Sequence, residues 1–497
     1  MALTKVTYSM IEGASYNVLD FGADPTGVAS SVTAFNAAVA NGGTVYVPTG
    51  TYKLDSKVTL PTDGTTLFLA ADVTLTVSGV VAQQTPWGSQ IDITGNNCAV
   101  IGSGPSSLIQ NNASYSNMIT FRHQVGAYVA NLTIDGNKAN LPSPTTDDSF
   151  GNAVFFLADT GFGVATDQQG LIENCTVKNM INYGVILYGN QANGTKIVNN
   201  NIRDIGQTGI TNSVGGGIAI SAGISDVTIN GNVIKNCKQN GIFIGSAGID
   251  GANYVITGNN CHQNTQSGIA FQEQTNYFSI PGKGLFNIVV SGNICSGNTV
   301  DGINFNVDAK GFLTYITITG NTCEGNTLNG IRVSSTNTYP DGYISDVTIS
   351  GNNCSQNGDN DIVVNPYVRL VEGYTMPFTP VIRGTSSAGT GTYVSQLGSY
   401  VKNGSIVSFQ ILLDWSAHTG TGNIEITGFP YASANAEPQP VGWVWANNLT
   451  ITGQATFGLV GNATYGALGA INNGAYSAVA MDVAATLRLN GFYFTTS

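Results

Sequence analysis

Charge is scarce in this sequence. Of 497 residues only 9% are Asp, Glu, Lys or Arg, and 17 Lys and Arg against 29 Asp and Glu leave a net charge of −12. So few cations offer no basic face for a run of phosphates, which argues against nucleic acid as a partner. Long apolar runs are missing as well: none reaches 18 residues, and no basic segment followed by an apolar one opens the chain. Neither a membrane span nor a secretion signal is therefore visible. Close cysteine pairs are absent. The shortest interval among Cys98, Cys175, Cys237, Cys261, Cys295, Cys323 and Cys354 is the 24 residues from Cys237 to Cys261, a spacing that suits neither zinc nor a disulfide framework. Gly215-Gly-Gly217 lacks the Lys and Ser or Thr of a phosphate loop, and His123, His262 and His418 are scattered, so no nucleotide site, serine triad or other cofactor site is expected.

Glycine, at 63 residues, is plentiful and ordered. Residues 316–331 read Ile-Thr-Ile-Thr-Gly-Asn-Thr-Cys-Glu-Gly-Asn-Thr-Leu-Asn-Gly-Ile, and near copies recur. Anchoring each copy on the Gly of its Gly-Asn pair, or the equivalent, gives Asn174, Asn199, Gly231, Gly258, Gly292, Gly320 and Gly351. Repeats of this length mark a solenoid. Two positions before the anchors stand Ile172, Ile197, Ile229, Ile256, Val290, Ile318 and Ile349; three positions after them stand Val177, Ile202, Ile234, Cys261, Cys295, Cys323 and Cys354. Short β-branched stretches between Gly and Asn bends read as strands, and no segment is long enough for an ankyrin-like or leucine-rich array. If each repeat is one turn, stacked in parallel at about 4.8 Å, the aliphatic positions form a continuous interior. Asn264, Asn298, Asn326 and Asn357 then form a ladder bonded from turn to turn. Cys98, Cys261, Cys295, Cys323 and Cys354 each follow a Gly-Asn pair and are expected as buried, reduced interior residues.

Asn17-Val-Leu-Asp-Phe-Gly-Ala-Asp24 precedes an alanine-rich segment with Val32, Phe35 and Val39 on one face, then Gly42-Gly-Thr-Val-Tyr-Val-Pro48 and Gly50-Thr-Tyr52. This predicts a helix laid across the open end of the coil, followed by a strand; Asp20 and Asp24 fit turn and cap roles. The stretch resembles the entry motif of the pectate-lyase-like right-handed parallel β-helix family, bacteriophage tailspikes in particular. The resemblance implies an all-β chain: a neck or linker over 1–15, a right-handed parallel β-helix over 16–370, and a C-terminal jelly-roll-like β-sandwich over 379–497 for trimerisation or receptor binding. Tailspikes commonly carry a head-binding domain before this point, so a trimmed chain or attachment through an adaptor protein is expected. Only Arg383, Lys402, Asp414, Glu425, Glu437, Asp482 and Arg488 are charged from Thr379 onward, which points to burial against other copies. Trp415, Trp443 and Trp445 fall there; core packing is the expected role, with sugar stacking as the alternative.

Carboxylates are the remaining chemistry. Glycoside cleavage takes two, about 5 Å apart for retention and about 6.5–9.5 Å for inversion. Asp250, Glu273 and Asp308 follow the Gly-Ile strand of three successive turns and are expected along one corner. Glu273 and Asp308 are the candidate catalytic pair, with Asp250 in reserve. Tyr277, Phe278 and Lys283 of the longest insertion form a candidate wall and Arg332 a candidate substrate contact. Acids at exposed bends remain the plain alternative. Asp301 and Glu324 are further candidates, whereas Asp147, Asp148 and Asp159 are expected about four turns away. The excursion Leu141–Ser149 is either a specificity loop or a solvated one. The resemblance implies a homotrimeric phage tailspike, acting from the virion tail at the bacterial surface, whose partner is capsular polysaccharide or lipopolysaccharide and whose reaction is hydrolysis. An eliminative lyase with Lys283 or His262 as base, a non-enzymatic glycan-binding fibre and a secreted pectinase remain open.

Overall fold

A computed structural model describes residues 15–77, 89–111, 117–122, 124–140, 151–157, 169–189, 192–206, 215–221, 223–246, 249–273, 283–307, 311–335, 343–365, 368–372, 375–434, 439–440 and 442–495. The chain divides into two compact units, residues 1–345 with 351–368, and residues 346–350 with 369–497.

The first unit is a parallel β-helix of three sheets, called A, B and C in the order each turn visits them. One turn runs Gly284–Ser291 on A, Ile294–Ser296 on B and Ile303–Val307 on C. Sheet B has 12 described strands and sheet C has 11. Register is kept from turn to turn: Ile197, Ile229, Ile256, Val290 and Ile318 are successive Cα partners on A, and Ile218, Ile242, Ile269, Ile303 and Ile331 on C. All are buried. Phe271 and Phe305 stack inside with centroids 4.7 Å apart, so the repeat of side chains itself supplies close packing.

The anchors work through the backbone. Gly231, Gly258, Gly292, Gly320 and Gly351 have φ between 61 and 68°, and Asn174 and Asn199 reach φ 53 and 55° at the same place. That left-handed conformation makes the bend from A to B, and it explains why only Gly or Asn stands there. The next residue in each turn forms a ladder: Asn200, Asn232, Asn259, Asn293 and Asn321 each donate Nδ2 to the Oδ1 of the following one, ending on Asn352, at 2.9–3.0 Å. The expected ladder lies at the bend from B to C, where Asn264, Asn298, Asn326 and Asn357 link at 2.9–3.0 Å.

Cys261, Cys295, Cys323 and Cys354 are successive partners on sheet B, and every described cysteine is a free thiol. Burial pushes the Cys175 thiol up to about 12, which suits inert packing. Cys98 departs from the expectation. It follows the C strand Ser89–Ile93 and precedes the A strand Ala99–Gly102, so its Gly-Asn pair serves another bend and its thiol is outside the sheet B row.

At the N-terminal end the helix Val32–Val39 buries Val32, Phe35 and Val39. Asp24 accepts hydrogen bonds from the amides of Thr26, Val28 and Ala29 and the hydroxyl of Thr26, a turn role that lowers its pKa to about 2.

The second unit is antiparallel. One sheet contains the long hairpin Gly391–Asn403 and Ile406–His418 with Ala485–Phe494 and Trp443–Asn447 beside it; the other contains Val381–Gly384, Ile424–Thr427, Tyr465–Asn472 and Gln454–Leu459. Phe429 packs against Phe409 at 5.0 Å, Phe457 at 5.9 Å and Tyr493 at 5.9 Å, joining the two sheets as a sandwich. Trp415 is buried and donates Nε1 to the carbonyl of Asp482 at 3.1 Å. Core packing fails for the other two: Trp443 is 60% and Trp445 40% exposed. They alternate on a strand whose described pairing is to Ala485–Phe494 alone, and both face outward.

Candidate functional site

Two of the three bends carry the asparagine ladders, and in the turns from Val233 onward their length barely varies. The third, from C to A, carries no ladder and absorbs the extra residues: Ile269–Glu273 is followed by Gly284–Ser291, Ile303–Val307 by Phe312–Thr319, and Ile331–Ser335 by Tyr343–Ser350. Side chains that break the repeat therefore gather at this corner.

Of the candidate acids, Glu273 and Asp250 lie on it. Glu273 ends its C strand as the Cα partner of Val307, which in turn partners Ser335. Asp308 follows Val307 and lies outside the described residues, as does Tyr277. Asp250 is committed elsewhere: Oδ2 is 2.6 Å from Lys283 Nζ and Oδ1 accepts the Gly284 amide at 3.0 Å. Asp250 precedes Gly251 and Lys283 precedes Gly284 on paired strands, so this ion pair clamps the entry of two neighbouring A strands. Arg332 sits on the outward row of sheet C between its Cα partners Asn304 and Val363, half-buried.

Asp301 is inside the coil. Its Oδ1 accepts the amide and Nδ2 of Asn329 at 3.1 and 2.8 Å, while buried Oδ2 has no partner. Burial pushes its carboxyl above the ordinary value. Glu324 is exposed on sheet B. Asp147, Asp148, Asp159, Phe278 and the excursion 141–149 lie outside the described residues.

Sequence reasoning missed an aromatic row on the same corner. Phe286, Phe312 and Tyr343 are half-buried; Phe286 and Phe312 have centroids 6.5 Å apart, and Phe312 and Tyr343 stack at 5.8 Å with planes 20° apart. The signal was an aromatic residue just after a glycine as each insertion ends, in Gly284-Leu-Phe286, Gly311-Phe312 and Gly342-Tyr343. A second missed group is buried Asp92 on sheet C, held by Arg122 Nε at 2.6 Å and Lys57 Nζ at 3.2 Å. Both its oxygens are engaged by cations, so it reads as a stable ion pair.

Residues 15–280 match the family described as Rhamnogalacturonase A/epimerase, pectate lyase-like, more than half of the chain. The chain belongs to this family. No curated protein matches it. Among solved structures, the Dettilon tailspike protein is similar over 97% of this chain and 94% of that one at 16% identity and a TM-score of 0.63. The pre-mature gene product 12 of bacteriophage phi29 is similar over 72% of this chain and 52% of that one, at 16% identity and a TM-score of 0.52. These likenesses are of fold. In this pectate-lyase-like chain the family match stops within the insertion after Glu273, so the rungs of Asp308, Phe312 and Arg332 lie beyond it.

Proposed function

We propose that this pectate-lyase-like protein is a bacteriophage tailspike that binds and depolymerises a bacterial surface polysaccharide, capsule or lipopolysaccharide, by hydrolysis of glycosidic bonds. The observation that supports the reading is the C-to-A corner, where Glu273 ends its C strand and the aromatic row of Phe286, Phe312 and Tyr343 lines the start of the A strands; Asp308, next in sequence after Val307, is its proposed partner. Aromatic rings offer faces for sugar C–H groups; the two carboxylates take the roles of acid and of nucleophile or base. Arg332, on the next rung, contacts substrate. Asp250 and Lys283 position this wall through their mutual ion pair rather than by chemistry.

Elimination is less well supported. Lys283 Nζ is engaged by Asp250 at 2.6 Å, so a base there would have to leave that contact. His262 stands on sheet B, away from the corner. A fibre that binds glycan without cleaving it draws its support from exposed Trp443 and Trp445.

Self-association as a homotrimer is supported by the second unit. Leu397, Ile406, Trp443, Trp445, Phe492 and Phe494 are exposed on one face of a sheet, an apolar patch of the kind that copies cover. Attachment to a virion tail, directly or through an adaptor, follows from the tailspike reading.

The test is reducing-end release from a panel of purified capsules and lipopolysaccharides. Glu273→Gln and Asp308→Asn are each expected to lower the rate about 10²–10⁴-fold with the fold unchanged by circular dichroism. Full activity in both removes the assignment, rising absorbance of an unsaturated product moves the reaction to elimination, and binding without release moves the protein to a fibre.

A further inference from the structure

The outward face of sheet B carries a feature that the corner does not use. Asp135, Lys178, Arg203, Lys235 and His262 are successive Cα partners, one residue per turn. Rungs are about 4.8 Å apart, so three cations and an imidazole stack in a line on a protein of net charge −12. Like charges opposite one another destabilise a sheet, and the fold offsets only part of this row. Lys178 Nζ is 3.1 Å from Asp135 and Arg203 Nη1 is 3.0 Å from Asp204. Lys235 makes no ion pair among the described residues, and Lys238 lies three residues beyond it. Burial, and after it the Lys235 charge, hold His262 below its ordinary value, against a hydrogen bond with Gln263 that raises it.

The same face has apolar ground. Val233 and Ile294 are exposed and are partners of Asn260 on either side, so they alternate along their strands with the row of Lys235, His262 and Ser296. A cationic line that the fold relieves only in part, beside aliphatic side chains and running along the coil axis, is complementary to a chain with one anion per unit and C–H faces between.

We infer that the sheet B stripe of Lys178, Arg203, Lys235 and His262 is a second, non-catalytic site that binds an acidic oligosaccharide lying along the coil axis. Its carboxylates sit over Lys235 and His262, and its sugar faces rest on Val233 and Ile294. The anionic character rests on the stripe alone, and the choice of a saccharide rests on the function proposed above. The stripe has no aromatic residue for base stacking, whereas Val233 and Ile294 offer ground for sugar C–H faces, so the polyanion that fits is a saccharide. Such a site holds the polymer while the corner, on another face of the coil, acts.

The full chain labelled with ¹³C-histidine provides the test, with the His262 signal assigned through His262→Asn. Tetrasaccharides of galacturonate, mannuronate and hyaluronan are titrated in, with maltotetraose, inorganic phosphate and a DNA octamer as comparisons. At least one acidic tetrasaccharide is expected to shift the His262 signal saturably. Lys235→Gln and Arg203→Gln, which lie outside the corner, are each expected to weaken that binding about tenfold, and half-molar salt to weaken it further. The shift is expected to persist in Glu273→Gln, which separates this site from cleavage. A His262 signal unmoved by every acidic tetrasaccharide overturns the inference, as does an equal shift from maltotetraose, phosphate or DNA. Two variants guard against misfolding of either.

Discussion

The coil and the C-terminal sandwich solve the same problem, burying a β-sheet interior with almost no charge, in different ways. In the coil the buried asparagines of the two ladders find their partners in their own copies one turn away, as Asn298 does with Asn264 and Asn326. In the sandwich the interior is aromatic, a cluster around Phe429, and its partners come from unlike strands. The coil therefore exposes mainly scattered single apolar side chains such as Val28, Val233 and Ile294, while the sandwich leaves Trp443, Phe492 and Phe494 together on one face. A self-copying interior needs nothing beyond its own turns. An interior assembled once leaves a face for something else to cover.

Four substitutions sharpen this contrast. The largest effect is expected in the sandwich, where Trp415→Ala empties a buried site and costs about 3–5 kcal/mol, while Trp443→Ser changes stability by less than about 0.5 kcal/mol; thermal denaturation of both variants checks it, and equal losses would break the distinction between inner and outer aromatics. Next comes the coil. Asn298→Ala leaves the Asn264 amide and the Cys261 carbonyl without partners, at about 2–3 kcal/mol, and a lowered Tm is the readout.

The smallest is a gain. Asp301→Asn replaces a carboxylate whose Oδ2 is unpartnered by an amide like that of Asn329, for about 1–2 kcal/mol of added stability at neutral pH. Because the folded chain holds this acid above its ordinary 3.8, the native state favours the proton. That stabilisation is complete below pH 3.8 and is lost as pH rises through the folded value. The advantage of Asn is thus expected to shrink to nothing as the pH falls to 3.8, and melting curves from pH 3.5 to 7.5 follow it.

Much of the coil is legible in the sequence because stacking forces equivalent residues to share a chemistry. Ile256, Val290 and Ile318, the left-handed Gly or Asn anchors, and the ladder from Asn264 to Asn357 all announce themselves by recurrence. What recurrence cannot supply is which bend a motif serves. Gly95-Asn96 looks like any other pair, yet Cys98 turns out to follow sheet C. The corner is harder still, since its insertions differ in length and carry Phe286, Phe312 and Tyr343 at no fixed offset from the anchors. The Asp250–Lys283 clamp spans such an insertion, so charge alone suggested an acid in reserve and a cation for substrate. The sequence assigned Trp443 and Trp445 to the core together with Trp415, and only their burial and strand pairing show that they face outward.

The ladders also set the unit in which this protein can be shortened. Removing residues 292–319 joins Ser291 to Gly320 and takes out one whole turn, strands Ile294–Ser296, Ile303–Val307 and Phe312–Thr319. Asn259 then meets Asn321, Asn264 meets Asn326 and Cys261 meets Cys323, each a like-for-like replacement of the neighbour it lost. Deleting a single residue from the same turn offers no such exchange, because every later row slips to the wrong face. Asp308 leaves with the excised turn and Glu273 stays. A chain cut there keeps its architecture and loses one half of the pair on which hydrolysis was argued.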